Sequence, residues 1–530
     1  MNSIWNNNIE AFKQRFPQLS KMYEDTIVQL GKALKEGDLP PFWEIKSAKS
    51  GEISAVEGGL SLHSAYNPVR EAGNAVKQKE VAEKSITIFF GFGLGYHLIE
   101  WAKEYKNSDK KLIIIEPDIA HFFAALSLLD WREVFKVQQL VIALNCPEEN
   151  ILGLIEDQNK VNIGNTGVSD SFIFNLAPFT AHAQSYFNTV KTIIDRNIQK
   201  NKINEATLKK FGKLWCKNSI KNALQLSRLS GISSLENKTK APFLLLGAGP
   251  SLEEVLPYLK DLNKHFITIS VETALGVLLK NDFQPDFIIL LDPQYWAYKH
   301  IAGLHAKKSI LITEITAYPS SFTFDCSQIL LCASQFPVGK YFEKKLALNL
   351  GDLGTGGSVA SSAWNFAHFA GSEIIYTAGL DLAFPEKETH IRGSSAEQTF
   401  HKISEKRNSS EKMGLRSLFS ANAQKGRDYR GRPVLTDSRM KMFAWWFESR
   451  LAACPQVKTY TLCPKGLKIP GIEVASIEKA LSLPLIEKEK NDFIKNIKKS
   501  CADEEKIREL LKNFPQKDFI EENDFLLPYL

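Results

Sequence analysis

Little in the sequence fixes a protein class at sight. Its seven cysteines (146, 216, 326, 332, 454, 463 and 501) are odd in number and form no CxxC pair, which argues against a disulfide framework and a cysteine-built zinc site and fits a reducing compartment. No uninterrupted apolar run approaches the roughly 20 residues that span a bilayer, so no membrane span is expected. The first residues, MNSIWNNNIEAFKQRFPQL, lack the apolar stretch and small-residue cleavage site of a secretory signal, and a cytoplasmic protein is expected. Charge of one sign is scarce too. Against 60 acidic residues stand 66 Lys and Arg, a net +6 over 530 residues, with no block able to follow a phosphate backbone, so nucleic acid is not an expected partner. Neither Gly247 nor the stretch 351–358 opens a GxxxxGK[ST] sequence, which excludes an NTPase P-loop there.

What the chain does hold is alternation, repeated twice. A first series runs from ITIFF (86–90) through LIII (112–115) to QLVIAL (139–144), with glycine turns and helical periodicity between. A lysine-rich helical stretch covers 180–230, and its lysines read as a solvated face. GISSLENKTKAP (231–242) reads as a linker. A second series follows: FLLL (243–246), FITIS (266–270), FIILLD (287–292), SILIT (309–313), ILLC (329–332) and EIIYTAG (373–379). Continuous apolar runs of this length are what parallel strands covered on both faces require. The expected fold is therefore α/β, with two Rossmann-like parallel-sheet domains over 1–230 and 231–475 and a charged helical tail over 476–530. Residues 386–433 interrupt the second series with a long polar, basic stretch, read as a mobile lid.

Three motifs point to chemistry. GFGLGYH (91–97) follows a strand, opens a helix and has Glu116 at the end of the next strand, the spacing at which a carboxylate meets a ribose. Tyr96 and His97 are bulky for a cofactor turn, so this one is expected to be structural or acceptor-facing. GAGPSL (247–252) combines glycines for a tight turn with Ser251 and Glu254 as an S-x-x-E capping box, a helix start suited to a phosphate. A third turn, Thr355-Gly356-Gly357-Ser358, opens a helix of small residues leading to a strand that ends Gly379-Leu380-Asp381. Asp292 and Asp381 are strand-end carboxylates able to meet ribose hydroxyls or a metal.

GAGPSL, PDFIILLD (285–292), TGGSVASSA (355–363), GLDLAF (379–384) and LCPKGLKIPGI (462–472) together resemble the motility-associated factor (Maf) family of flagellin glycosyltransferases, and GFGLGYHL with EPD resembles that family's N-terminal domain. The central part is also similar to bacterial sialyltransferases that use a CMP-linked sugar. That resemblance implies Gly247, Gly249, Pro250 and Ser251 beside the phosphate and sugar, and Thr355, Gly356, Gly357, Ser358, Gly379 and Asp381 around cytidine, with Cys463 and Pro464 nearby. It implies transfer of a nonulosonic acid, such as a pseudaminic or legionaminic acid, from a CMP-linked donor to Ser or Thr of flagellin. No cofactor or metal is expected beyond the donor.

The sialyltransferases place a catalytic histidine where this chain reads RPVLTDSR (432–439). His390 in KETHIRG and Asp437 in LTDSR are the substitute bases to weigh, with Asp437 equally suited to cap a helix. A nonulosonic acid carries a carboxylate, and its cation is sought among the arginines of 386–433, chiefly Arg392 and Arg427. Two alternatives stand beside transfer. The central fold resembles archaeal 6-hydroxymethyl-dihydropterin diphosphokinases, and a non-catalytic flagellin-binding chaperone would need no base at all.

Overall fold

The computed structural model describes residues 2–36, 41–155, 170–354 and 356–529. These divide into two compact units, Met1–Ala206 and Thr207–Leu530. The division falls inside one 39-residue helix, Gln184–Asn222, rather than at 230/231. No proline interrupts that stretch, so helix propensity carries the chain straight through.

In the first unit, an antiparallel sheet of β1 (Glu44–Ser47), β2 (Ile53–Glu57) and β3 (Leu60–Ser61) precedes a parallel one. The parallel sheet comprises β4 (Ile86–Phe90), β5 (Lys111–Glu116), β6 (Gln139–Leu144) and β7 (Ser171–Asn175) in the order β6-β5-β4-β7. Every residue of β4 is buried, which is why it reads as an unbroken apolar run. The order reverses at β4, so the crevice at the carboxyl end of β4 is the switch point of this sheet.

The second unit is built on a nine-stranded, all-parallel sheet. Its strands are β8 (Ser230–Gly231), β9 (Phe243–Leu246), β10 (Ile267–Val271), β11 (Phe287–Ile289), β12 (His305–Thr313), β13 (Asp325–Leu331), β14 (Ile374–Ala378), β17 (Lys458–Thr461) and β18 (Ile472–Val474). They lie in the order β18-β17-β14-β9-β10-β11-β12-β13-β8, with the reversal between β9 and β14.

Two expectations need correction here, and the expected lid gains a fold of its own. The 231–242 stretch is not a linker: β8 adds the edge strand beside β13, and Ile232 and Leu235 are fully buried in the core. The tail beyond 476 belongs to the second unit, where Phe493 packs its ring against Phe243 and Phe287 and Lys490 meets Asp286 at 2.8 Å. Finally, 386–433 is folded into helices Ser395–Lys402 and Ser410–Ser420 and an antiparallel hairpin of β15 (Gln424–Arg427) and β16 (Pro433–Thr436). Ser394 and Ser409 cap those helices, accepting from the N–H groups of Glu397 and Lys412. The segment is held to the sheet edge at its start, where the Ile391 N–H donates to Ala248 O (2.9 Å), and at its end, where Thr436 Oγ1 donates to Leu382 O (2.8 Å).

Candidate functional site

At the switch point of the second unit, β9 and β14 stay paired past their last regular residues. The Gly247 N–H donates to Ala378 O (2.8 Å) and the Gly249 N–H to Gly379 O (2.9 Å). A Cβ on Gly247 would overlap Gly379 O, and one on Gly249 would lie 2.7 Å from both Gly379 O and the Asp381 carboxyl carbon. The glycines thus admit the neighbouring backbone, a close approach between strands within the protein itself.

Ser251 does not cap its own turn. Its N–H donates to Asp381 Oδ2 (2.9 Å) and its hydroxyl to Asp381 Oδ1, while Glu254 pairs with Lys465 Nζ at 2.7 Å. The expected S-x-x-E box is replaced by a carboxylate brought from β14, a stronger acceptor than a serine oxygen. The helix itself shortens to the 3-10 turns Pro250–Glu254 and Leu256–Tyr258. Burial raises the Asp381 carboxyl to about 6 against the lowering effect of the Ser251 bonds. Cys463 completes the knot: its thiol accepts from the Gly379 N–H (3.4 Å) and donates to Ser251 O (3.3 Å), and burial pushes it up to about 12. Asp381 and Cys463 are therefore turned inward, holding the phosphate-type turn in shape.

The third glycine turn folds as expected from its sequence. Ser358 caps the helix Val359–Phe369 in a reciprocal box with Ser361. Gly357 has φ of 72°, and a Cβ on Gly356 would overlap the Ser361 side chain. The box uses the N–H groups of Ser358 and Ser361; those of Val359 and Ala360 lie in the first helical turn, where no intrahelical acceptor exists. Thr355 lies outside the described residues.

A titratable cluster gathers beside these turns. The Ile391–Ala248 bond sets His390 against the GAGPS turn. Burial, then the positive charges of His300 and Arg439, hold the His390 imidazole below its usual range, and its Nδ1 is buried without a partner. His300 shares a hydrogen bond with Ser395 and is lowered by burial. Asp292 accepts from the Gln294 N–H (2.8 Å) at the end of β11. Glu272, directly after β10, is buried, keeps Oε2 unpartnered and is pushed up to about 7, first by burial and also by Asp292. Glu272, His300 and Arg439 carry no motif, and sequence reasoning passed over them.

In the first unit, Gly91, Gly93 and Gly95 all have positive φ. A Cβ on Gly91 would overlap the Phe179 carbonyl; on Gly93 it would lie 2.8 Å from the Phe179 ring, and on Gly95 it would overlap the Trp131 ring. The Leu94 N–H donates to His63 Nε2 (3.0 Å), and burial holds His63 down at about 3 and His97 at about 4, both neutral. Protein side chains fill this turn. Glu116 is also engaged, accepting from the Asp118 N–H (2.9 Å) and pairing with His182 (2.8 Å).

Two family models match in tandem on this architecture. Residues 46–210 match the glycosyltransferase Maf N-terminal domain, and residues 217–387 match the 6-hydroxymethylpterin diphosphokinase MptE-like domain. The chain matches the Maf family over its N-terminal region. Its fold is similar, over 100% of this chain and 83% of the other, to a Maf glycosyltransferase from Magnetospirillum magneticum AMB-1, with a TM-score of 0.60 at 16% identity. Two uncharacterised proteins of Treponema pallidum (strain Nichols) are 34% identical over 221 residues and 26% identical over 260 residues. Those matches cover 36% and 48% of this chain; the chain spans 55% of the first relative and 84% of the second.

Against this Maf framework the remaining expected site residues sort by geometry. Asp437 caps the helix Ser438–Ala453, accepting from the Met440 N–H at 2.7 Å, the capping role its sequence position offered. Pro464 lends its carbonyl to the Tyr429 N–H (3.2 Å). Arg392 pairs with Glu388 (2.7 Å) and lies 3.8 Å from Glu253 on the GAGPS turn; Arg427 donates to Gly431 O (3.0 Å) within its own hairpin. The cation set into the sheet edge is Lys465 of the LCPK motif, bridging Glu254 and Glu386 (3.0 Å). An anionic ligand at the turn would compete with those two carboxylates for it.

For the Maf N-terminal domain, Gly93→Ala should lower first-unit stability by about 2–3 kcal/mol, from overpacking against Phe179 plus the positive φ, and leave any nucleotide binding by the second unit unchanged. Thermal unfolding and calorimetry check both. Saturable S-adenosylmethionine or NAD binding that this substitution abolishes would show instead that the turn holds a cofactor.

Proposed function

We propose that the chain is a glycosyltransferase that moves a nonulosonic acid from its CMP-linked form to Ser or Thr hydroxyls of flagellin. The observation that carries this reading is the convergence, in a chain that matches the Maf family over its N-terminal region, of the GAGPS turn and the Ser358-capped helix start at the reversal of one parallel sheet. Open α/β sheets bind ligands at this crevice, and helix N-termini favour phosphate. The first-turn N–H groups of Val359 and Ala360 would stabilise the departing CMP phosphate as the sugar–oxygen bond breaks and CMP leaves with the electron pair. His390, neutral and with a free Nδ1, is the base for the attacking hydroxyl's proton. Lys465, paired with Glu254 of the same turn, is the cation for the sugar carboxylate or the phosphate.

The test is calorimetry with CMP, ATP and S-adenosylmethionine, followed by mass spectrometry of flagellin incubated with the protein and a CMP-nonulosonic acid. CMP binding and a mass increase on flagellin are expected, with His390→Ala binding CMP and losing transfer by at least about 100-fold. The match of 217–387 to the MptE-like domain gives the second reading its footing. Tight ATP binding without CMP binding would favour that pterin diphosphokinase class. Flagellin bound but left unmodified would favour a chaperone.

A further inference from the structure

The first unit holds a cluster that neither the glycine turns nor the transfer chemistry uses. Glu57 ends β2, His121 sits one turn into the helix Ile119–Leu128, and His182 lies on the 3-10 turn Ala181–Ala183. One ligand atom from each lies within 4.8 Å of the other two. We propose that Glu57, His121 and His182 bind a divalent transition-metal ion, zinc being the best match to two imidazoles and one carboxylate.

The arrangement around the three side chains supports this over a plain buried ion pair. Each offers one atom inward while a fixed partner holds the other. Glu57 Oε1 faces His121 Nε2 (2.7 Å), and Glu57 Oε2 accepts from the Trp43 indole N–H (3.0 Å). His121 Nδ1 lies 2.9 Å from Asp118 Oδ2, and His182 Nε2 pairs with Glu116 Oε1 (2.8 Å). A carboxylate behind each imidazole is the usual outer arrangement of a metal-bound histidine, fixing tautomer and ring orientation. With its Nε2 turned to Glu116, His182 has Nδ1 as the atom to offer a ligand. The rings of His121 and His182 stack at 4.1 Å and 15°, and Phe42 covers the other face of His121 at 4.3 Å.

Charge points the same way. Three carboxylates, Glu57, Glu116 and Asp118, face two imidazoles. Glu116 is 1% exposed, where uncompensated charge is costly. Two nitrogen donors exclude magnesium and calcium as the preferred ions. Three protein ligands leave a fourth position open in a zinc site. An open cleft of about 540 Å³, lined by Thr26, Asp118, Ala120 and His182, reaches one of the three ligands from outside. Ligation at about 2.1 Å sets tetrahedral donors roughly 3.4 Å apart, so the 2.7 Å Glu57–His121 pair must open on binding. No sequence spacing announces the site, since its ligands lie 64 and 61 positions apart.

The test uses the full chain, stripped with a chelator and titrated with Zn²⁺ against a chromophoric competitor, then with Co²⁺. One equivalent of Zn²⁺ bound at micromolar affinity or tighter is expected, with a Co²⁺ visible spectrum of a four- or five-coordinate nitrogen and oxygen site. His121→Ala and His182→Ala should each abolish that spectrum, and Glu116→Gln should weaken Zn²⁺ binding about 10–100-fold with the ligands intact. Wild-type protein that takes up no Zn²⁺ at 100-fold excess would overturn the proposal, whatever the variants do. So would a sulfur-to-cobalt charge-transfer band, which would place the ion on cysteine, or binding that survives the double histidine substitution in folded protein.

Discussion

Gly247→Ala should cost the second unit about 3 kcal/mol or more, lowering its unfolding temperature by roughly 5–10 °C. The added Cβ would overlap Gly379 O and lie 2.8 Å from Gly379 C and 3.2 Å from Leu380 N. All three are backbone atoms, with no side chain free to rotate away. Relief requires β9 and β14 to part where Gly247 and Gly249 donate across the gap, which also unseats the Asp381–Ser251 contact. Gly414, inside the helix Ser410–Ser420 with nothing within 4 Å of its Cβ position, is the control: Gly414→Ala should stabilise by about 0.4–1 kcal/mol. Thermal unfolding and CMP calorimetry on both variants separate the explanations. If Gly247→Ala keeps full stability and loses only CMP, the glycine serves the ligand and not the strand pair.

That distinction shows where the sequence is informative. ITIFF, FLLL, FITIS and EIIYTAG could be placed as strands because parallel strands buried on both faces need unbroken apolar runs. β8, two residues long inside a polar stretch, has no such run, and it took the edge of a preformed sheet to order it. The insertion's helices were announced by Ser394 and Ser409 ahead of acidic first turns, a signal masked by overall polarity. The glycine turns were legible as turns, but their occupants were not. Asp381 is 130 positions from Ser251 and Phe179 is 86 from Gly93, so only tertiary packing joins them. Lys465 stood in view within LCPKG and was passed over for arginines in the longer basic segment.

Glu272 is the residue for which sequence offered least and chemistry expects most. As the first residue of the helix Glu272–Lys280 it sits where a negative charge is favoured, yet burial outweighs that and pushes its carboxyl up to about 7. In the unfolded chain the same group titrates near its ordinary value of 4.5. Between these values the folded state holds a proton that the unfolded state has released, so this group's contribution to stability is full below about pH 4.5 and lost as pH rises through 7. The loss approaches about 3 kcal/mol, from 1.36 kcal/mol per pH unit. Glu272→Gln cannot ionise and escapes it. The variant should match wild type near pH 4.5 and exceed it by up to about 3 kcal/mol at pH 8, while Asp381, pushed up to about 6, leaves both proteins a residual slope of the same sign. Unfolding curves from pH 4.5 to 8 check this, and a difference that does not grow with pH would refute it. A buried carboxyl with one oxygen left unpartnered at this cost, on the edge that carries the glycine turns, is the pattern of a functional group. Under the transfer proposed above, the more stable variant should therefore bind CMP normally and transfer sugar more slowly by at least about tenfold; unchanged transfer would leave Glu272 a buried acid with no part in the reaction.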